Sequence, residues 1–195
     1  MKEDPNEDVI RARTNVEALK RSLGERNLEP LTAMADLARA YTAAGEFTSA
    51  RELQERILNL RCELIGDEDI GTIWAANDLA NTLQNLSELV PARALQEKNL
   101  ATIDRHYGRD DDVTIIVKRN LASILFELGD YSGSAEMQRQ VVETFGRIYG
   151  ERDHRTTTAR ADLAYTLQRL GDYKGAIPLQ VRALTDHIRG RFRRN

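Results

Sequence analysis

Apolar residues along this chain follow a helical spacing that ends at a glycine and then starts again. The face of one such segment carries Ile115, Leu121, Ile124, Leu125 and Leu128. Gly129 then interrupts the spacing, as a left-handed C-terminal cap requires. Asp130 follows at the position where its charge would meet the positive end of a second helix dipole. The pattern therefore predicts a helix, a tight turn and a second helix.

The same pattern returns every 42 residues along the chain. Glycine or serine marks two sets of positions at this interval: Gly24, Gly66, Gly108 and Gly150, and Gly45, Ser87, Gly129 and Gly171. The pair Leu-Ala begins at Leu37, Leu79, Leu121 and Leu163, and an acidic residue recurs at Glu46, Glu88, Asp130 and Asp172. Because so many positions agree at one period, we interpret the chain as a repeat array.

Each repeat is predicted to hold a front helix, a tight turn, a longer back helix and a loop. The front helices are expected at 31–44, 73–86, 115–128 and 157–170, and the back helices at 47–65, 89–107, 131–149 and 173–189. Shifting 47–65 back by one period predicts a further back helix at 5–23, with Pro5 in its first turn, where proline is tolerated. We therefore expect an orphan helix within 1–23 (half a repeat or a cap), four hairpin repeats in 24–190 and a basic tail at 191–195.

A small residue beside each recurring leucine lets two helices of a hairpin approach closely. A hairpin of this kind cannot bury both its faces alone, so neighbouring hairpins must supply the core. The repeat thus predicts an all-α stack whose front helices line one concave side.

Composition and charge narrow the class of protein. The chain of 195 residues has a formal net charge of −3, which is the wrong sign for nucleic-acid binding through bulk charge. Its one cysteine, Cys62, cannot form an intramolecular disulfide, which fits a reducing compartment. The acidic start lacks the apolar segment of a signal peptide, and no apolar run approaches the roughly 18 residues that span a bilayer. We expect a cytoplasmic protein without nucleic-acid or membrane partners.

The period and its motif resemble tetratricopeptide repeats of the kinesin-light-chain type. Two features carry the resemblance: the 42-residue interval and the order Leu-Ala, Gly, acid, Tyr, Ala and Leu, as in the repeat around Leu121. The Asn-Leu-Ala motif common in that family is matched only by Asn120-Leu121-Ala122. The resemblance implies a right-handed superhelical solenoid of antiparallel helix hairpins that binds a protein or peptide in its concave groove.

The groove positions that the resemblance implies differ from repeat to repeat, unlike the core positions. They are Arg39, Trp74, Asn77, Asn81, Gln84, Ile116, Arg119, Asn120, Phe126, Tyr165 and Arg169. Trp74, Ile116 and Phe126 suggest an apolar patch, and tryptophan is enriched among binding hot spots. The amide side chains can donate to and accept from a peptide backbone, and the arginines can bind a carboxylate bidentately. In the alternative interpretation, Trp74 and Phe126 pack between hairpins and the amides form a solvated face.

The sequence favours a peptide-binding scaffold over an enzyme. None of the histidines, which are His106, His154 and His187, stands at a metal-binding spacing, and no catalytic motif or cofactor signature occurs. A self-assembly or regulatory repeat segment of a larger signalling protein is the alternative. The acidic start and the basic end also make head-to-tail self-association a hypothesis, against the simpler interpretation of solvated tails.

Overall fold

The computed structural model describes residues 5–106, 108 and 111–192, and the side chains of 6–106, 108 and 111–185. Over this part the chain forms nine α-helices and no strand: α1 Pro5–Leu23, α2 Leu28–Ala43, α3 Phe47–Ile65, α4 Ile70–Asn85, α5 Leu89–His106, α6 Asp112–Glu127, α7 Tyr131–Tyr149, α8 His154–Leu170 and α9 Tyr173–Phe192. The chain divides into two compact units, Met1–Thr102 and Ile103–Asn195, with the boundary inside α5. Residue 107 of the predicted helix 89–107 and residues 193–195 of the predicted tail lie outside the described residues, whereas 191–192 belong to α9.

The front helices α2, α4, α6 and α8 begin three residues earlier than the apolar spacing predicts. Each is preceded by an N-cap residue whose side-chain oxygen accepts a hydrogen bond from a backbone amide in the first turn. These caps are Asn27, Asp69, Asp111 and Asp153, which also stand 42 residues apart. The polar cap therefore sets the helix start, and it stands four residues before the position at which the apolar spacing places that start.

The turn inside each hairpin contains a residue in the left-handed region. Three of the four are glycine, but Ser87 adopts a φ of 61° and therefore carries backbone strain. In the second unit the acid after the turn also caps the back helix. Asp130 and Asp172 accept hydrogen bonds at 2.9 Å from the backbone amides of Gly133 and Gly175, respectively.

In the first unit α1 packs on α2, α2 on α3, and α3 on α4. One core cluster of this unit holds Val16, Leu31, Ala33, Met34, Leu37, Ala38 and Ile57. Val9 and Leu19 of α1 pack against the same core. The helix over 5–23 thus contributes an apolar face to α2 in the manner of a back helix.

In the second unit each of the helices α6 to α9 packs on the next along the chain. One core cluster holds Ile115, Val141, Phe145 and Ala159, and another holds Ala135, Leu163, Leu167 and Ala176. Buried threonines tie two loops to their helices: the hydroxyls of Thr114 and Thr156 donate to the carbonyls of Gly108 and Gly150 at 2.7 and 2.9 Å. The predicted all-α class is confirmed.

Candidate binding surfaces on the front helices

A cavity of about 460 Å³ opens between front helices α6 and α8, with the back helix α7 behind it. Four residues predicted from the sequence line it: Arg119, Asn120, Phe126 and Tyr165. The remaining lining residues are Ala122, Ser123, Glu127, Gln138, Val141, Ala159, Asp162 and Thr166. Four buried side chains belong to this lining, of which Ala122, Val141 and Ala159 are apolar and Thr166 is polar. The cavity interior is therefore mainly apolar, with further polar groups around it.

Phe126 is the centre of an aromatic cluster beside this cavity. Its ring centroid lies 5.1 Å from that of Tyr131, at an edge-on angle of 62°, and 5.4 Å from that of Tyr165. The guanidinium carbon of Arg169 lies 5.0 Å from the Tyr131 centroid and 5.7 Å from that of Phe126. These separations are typical of favourable aromatic and cation–π contacts. The cluster gives the second unit a rigid aromatic wall, of which Tyr165 remains 52% exposed.

The two helices that flank the cavity carry side chains of opposite charge. Partial burial raises the pKa of the Asp162 carboxyl on α8, and the positive charge of Arg119 on α6 partly offsets that effect. The cavity therefore presents both a cation and a carboxylate to a ligand, an arrangement suited to a zwitterionic or polar chain such as a peptide.

Ile116 lies one helical turn before Arg119 and is half-buried, and it does not line the cavity. Its neighbour Val117 is fully buried. The structure thus brings together Arg119, Asn120, Phe126, Tyr165 and, through the aromatic cluster, Arg169, but leaves Ile116 beside them.

In the first unit the predicted residues have mixed surroundings. Trp74, Asn81 and Gln84 are half-buried on α4. Asn77, in contrast, is only 4% exposed, and its Oδ1 accepts a hydrogen bond of 3.0 Å from Nε2 of the buried Gln96 on α5. The amide that was expected to meet a peptide therefore lies inside the α4–α5 hairpin, where it joins the two helices.

Arg39 on α2 is exposed and is engaged by carboxylates. It forms an ion pair with Asp36 one turn earlier on the same helix. Burial raises the pKa of Asp78 on α4, and the charge of Arg39 and a hydrogen bond from Asn77 act in the opposite direction. The positive charge of Arg39 thus interacts with two carboxyls of its own unit, those of Asp36 and Asp78.

Sequence reasoning did not single out Tyr131 or Asp162 as site residues. Tyr131 occupies the position after the recurring acidic residue, and Asp162 stands where the Asn-Leu-Ala motif has its asparagine. A signal for Tyr131 was present, because it lies five residues after Phe126 across the hairpin turn. In the part of the chain that the structure describes, no group of three potential metal ligands occurs, and no helix is apolar and long enough to cross a bilayer.

The helical hairpins define the chain as a repeat protein, and family comparison identifies the repeat. Models described as tetratricopeptide repeat match residues 31–70, 72–112 and 113–186. The chain therefore belongs to the tetratricopeptide repeat family. No curated protein matches it by sequence.

Solved structures share the fold at low sequence identity. A Podosopora anserina protein, described as a kinesin light chain with nearly identical TPR-like repeats, matches with a TM-score of 0.86 and 20% identity, over 95% of this chain and 88% of that one. BtubC (BKLC) from P. vanneervenii matches with a TM-score of 0.77 and 22% identity, over 93% and 73%. PlcR of Bacillus thuringiensis, solved with the peptide PapR7 and DNA, matches with a TM-score of 0.66 and 14% identity, over 92% and 64%.

Proposed function

We propose that this protein binds an extended peptide segment of a partner against its front helices, and that the cavity between α6 and α8 is the principal anchoring point. Tetratricopeptide repeats indicate a protein–protein interaction scaffold of a non-catalytic family. The observation that carries the finer proposal is the cavity of about 460 Å³, which brings Arg119, Asn120, Phe126 and Tyr165 to one place.

The chemistry of the cavity suits a peptide side chain with its adjoining backbone. Phe126 and Tyr165 offer apolar area on rings that the cluster already holds in place, so little side-chain entropy is lost on binding. Asn120 can both donate to and accept from a peptide bond, and Arg119 and Asp162 offer complementary charges to its polar neighbours. PlcR, a structural neighbour solved with a bound peptide, supports peptide binding as a use of such a fold.

Selection from a displayed library of random peptides, with the intact chain as bait, tests the proposal. The dissociation constants of the enriched peptides are then measured by calorimetry for the chain and for Tyr165→Ala. We expect at least a tenfold loss of affinity, because truncating a central aromatic anchor costs about 2 kcal/mol. Ile148→Ala is the control, since Ile148 is 43% exposed in the same unit and lies outside the cavity.

Failure to enrich any peptide, or equal affinities of the parent and Tyr165→Ala, would contradict the proposal. Trp74→Ala tests the first unit separately with the same peptides. A weakened affinity with unchanged helicity would extend the binding surface to α4, and an unchanged affinity would remove Trp74 from it.

A further inference from the structure

Gln138 on the back helix α7 lines the cavity between α6 and α8 with a polar group that lacks a partner. The residue is half-buried, and its Oε1 is buried without a hydrogen-bond partner among the described residues. A buried amide oxygen that accepts no hydrogen bond costs free energy. A ligand group that enters the cavity and donates a hydrogen bond to this oxygen therefore removes that cost.

The same glutamine stands at one position of each back helix, but its surroundings differ between the hairpins. Oε1 of Gln54 and Oε1 of Gln96 also lack a partner among the described residues. Those two side chains are only 5% and 0% exposed, and neither lines the cavity. Of the three, Gln138 is thus the glutamine that a ligand in this cavity can reach.

The hairpin one period earlier shows which group meets this glutamine inside the protein. Nε2 of Gln96 donates a hydrogen bond of 3.0 Å to Oδ1 of Asn77, so the neighbour is the side-chain carboxamide of a front helix. The equivalent pair in the next hairpin is Gln138 and Arg119. Arginine has no acceptor atom, so it cannot replace Asn77, and the Arg119 side chain is exposed. The chain therefore supplies no carboxamide at this position of the hairpin that lines the cavity.

We propose that the cavity between α6 and α8 takes a primary carboxamide, the terminal group of an asparagine or glutamine side chain, and that Gln138 is the residue that selects it. The inference rests on the proposed binding of a peptide in this cavity and names the side chain that enters. The ligand carboxamide donates an N–H to Oε1 of Gln138 and accepts a hydrogen bond from Nε2 of the same residue. The two amides thus form a closed pair of hydrogen bonds.

The hydrogen-bonding capacity of Gln138 distinguishes a carboxamide from the other groups of a peptide. A carboxylate cannot donate to Oε1, and an ammonium or guanidinium group cannot accept from Nε2. A trans peptide bond holds its N–H and its C=O on opposite sides, so it cannot pair with both ends of one side-chain amide. A hydroxyl offers a single oxygen for both bonds. The primary carboxamide is therefore the group that matches both ends of Gln138.

The remaining lining of the cavity suits the apolar part of a ligand next to its carboxamide. Ala122, Val141 and Ala159 are buried apolar residues of the lining. The rings of Phe126 and Tyr165 add aromatic surface to it. A probe that joins a primary carboxamide to an aromatic ring therefore matches both the polar and the apolar part of the cavity.

Benzamide is such a probe, and acetophenone is its matched partner, because a methyl group replaces the NH2 while the carbonyl and the ring stay the same. NMR titration of the intact, 15N-labelled chain measures both dissociation constants and follows the side-chain amide signals. We expect benzamide to bind about fivefold more tightly than acetophenone, since only benzamide donates a hydrogen bond to the buried oxygen. The Gln138 side-chain amide should show the largest shift among the glutamine side chains.

Gln138→Met removes the amide at similar side-chain length and should make the two dissociation constants equal. The variant is expected to fold, because it loses a buried oxygen that has no partner, and circular dichroism verifies this. Gln140→Met is the matched control on the same helix. Gln140 lies outside the cavity and donates to Glu136, so its replacement should leave the preference for benzamide unchanged.

A second pair of variants tests the same point without altering the glutamine. Arg119→Asn places a carboxamide at the position from which Asn77 meets Gln96, so it should occupy Gln138 from within the chain and abolish the preference for benzamide. Arg119→Ala removes the same guanidinium but supplies no carboxamide, so the ratio of the two dissociation constants should persist.

The peptides enriched by the intact chain identify the source of the carboxamide. We expect them to share an asparagine or glutamine whose replacement by leucine weakens binding about fivefold to the parent but not to Gln138→Met. Enriched peptides without such a residue would overturn the inference and leave peptide binding intact. A preference for benzamide without any enriched peptide would contradict the peptide-binding proposal alone and assign the cavity to a small primary amide.

Equal affinities of the parent for benzamide and acetophenone would overturn the inference, because water would then satisfy the Gln138 oxygen as well as a ligand does. The absence of benzamide binding would do the same, as would a preference that persists in both Gln138→Met and Arg119→Asn. Benzoate completes the test: tighter binding of benzoate than of benzamide would assign the cavity to a carboxylate paired with Arg119.

Discussion

Arg169 of α8 reaches back to the first residue of α7, where its Nη2 donates a hydrogen bond of 2.6 Å to Oη of Tyr131. The same guanidinium lies over the Tyr131 ring and close to Phe126. A single side chain thus joins two successive hairpins beside the cavity and fixes the aromatic wall. Phe126 also contacts the ring of Tyr165.

A double-mutant cycle of Tyr131→Phe and Arg169→Ala measures this contact. Both groups are partly or largely exposed, so we expect a coupling free energy of about 0.5–1 kcal/mol in urea unfolding. The cation–π contact survives in Tyr131→Phe, and that single variant should therefore cost less than Arg169→Ala. Strictly additive free energies of unfolding would show that the hydrogen bond contributes no stability.

The acid before the Leu-Ala pair of α4, Asp78, is expected to destabilise the fold in its ionised form. Burial raises the pKa of Asp78, and the charge of Arg39 and the hydrogen bond from Asn77 offset this only in part. The folded state then binds the proton more tightly than the unfolded state, so a penalty develops as the pH rises from the unfolded value of about 3.9 through the raised folded pKa.

We therefore expect Asp78→Asn to be more stable than the parent at pH 7, with the difference disappearing below about pH 4. Asparagine is compatible with the position, since Asn120 occupies it in the next repeat. Asp36→Asn is the matched control: Asp36 is exposed and pairs with Arg39, so its replacement should give no gain. Urea unfolding at a series of pH values gives the comparison, and a loss of stability in Asp78→Asn at pH 7 would refute the expectation.

The 42-residue period was sufficient to predict most of the fold. The predicted back helices 47–65 and 131–149 coincide with α3 and α7. An acidic residue after a glycine marks the start of each helix, and a second glycine marks its end. The front helices were predicted too short, since apolar spacing registers only side chains that face the core. The caps Asn27, Asp69, Asp111 and Asp153 are polar and lie outside that spacing, although they share the period.

The candidate site was less predictable because it depends on pairs of residues from different helices. The repeat identifies equivalent positions in successive hairpins, and Asn77 was assigned to the groove because the family resemblance implies a groove position there. The buried Asn77 accepts a hydrogen bond from Gln96, a glutamine that recurs at the same position of each back helix. The first repeat has Ala35 in place of Asn77, so the equivalent hydrogen bond cannot form there. The convergence of Arg119, Phe126 and Tyr165 likewise depends on how α6 and α8 are arranged, which cannot be read from any single position of the repeat.

The N-cap of α8 should make stability depend on pH in the acidic range. A hydrogen bond from the Arg155 side chain, and another from the Arg155 backbone amide, hold the pKa of Asp153 below its usual value. The folded state then favours the carboxylate, so this stabilisation is present above the unfolded pKa of about 3.9 and is lost as the pH falls through the lowered folded pKa.

Asp153→Asn separates the cap from its charge. Asparagine caps helices as well as aspartate does, so the variant should retain most of the stability at pH 7 and should lose less than the parent on acidification. Asp153→Ala removes the cap itself and is expected to cost about 1 kcal/mol at neutral pH. Unfolding free energies measured between about pH 2.5 and pH 7 provide the test, and identical acid sensitivity of the parent and Asp153→Asn would show that Asp153 is not responsible.

The recurring threonine at the start of the front helices should contribute unequally to the free energy of unfolding in different repeats. Thr156 is fully buried, and its hydroxyl donates to the carbonyl of Gly150 at 2.9 Å, which ties the preceding loop to α8. Thr72 is 2% exposed in the equivalent position, yet its Oγ1 has no hydrogen-bond partner among the described residues. Valine has nearly the same shape as threonine but lacks the hydroxyl, so it isolates the hydrogen bond from the packing.

We expect Thr156→Val to lower the free energy of unfolding by about 1 kcal/mol, because the hydroxyl hydrogen bond is lost and the Gly150 carbonyl keeps only the longer bond of 3.2 Å from the Asp153 backbone amide. Thr72→Val should be neutral or stabilising, since it replaces a buried unpaired hydroxyl with a methyl group. Amide hydrogen exchange in each unit, with urea unfolding of the whole chain, measures both effects where they arise. If the two substitutions were equally costly, packing around the β-branched side chain, and not the hydrogen bond to the loop, would explain why threonine recurs there.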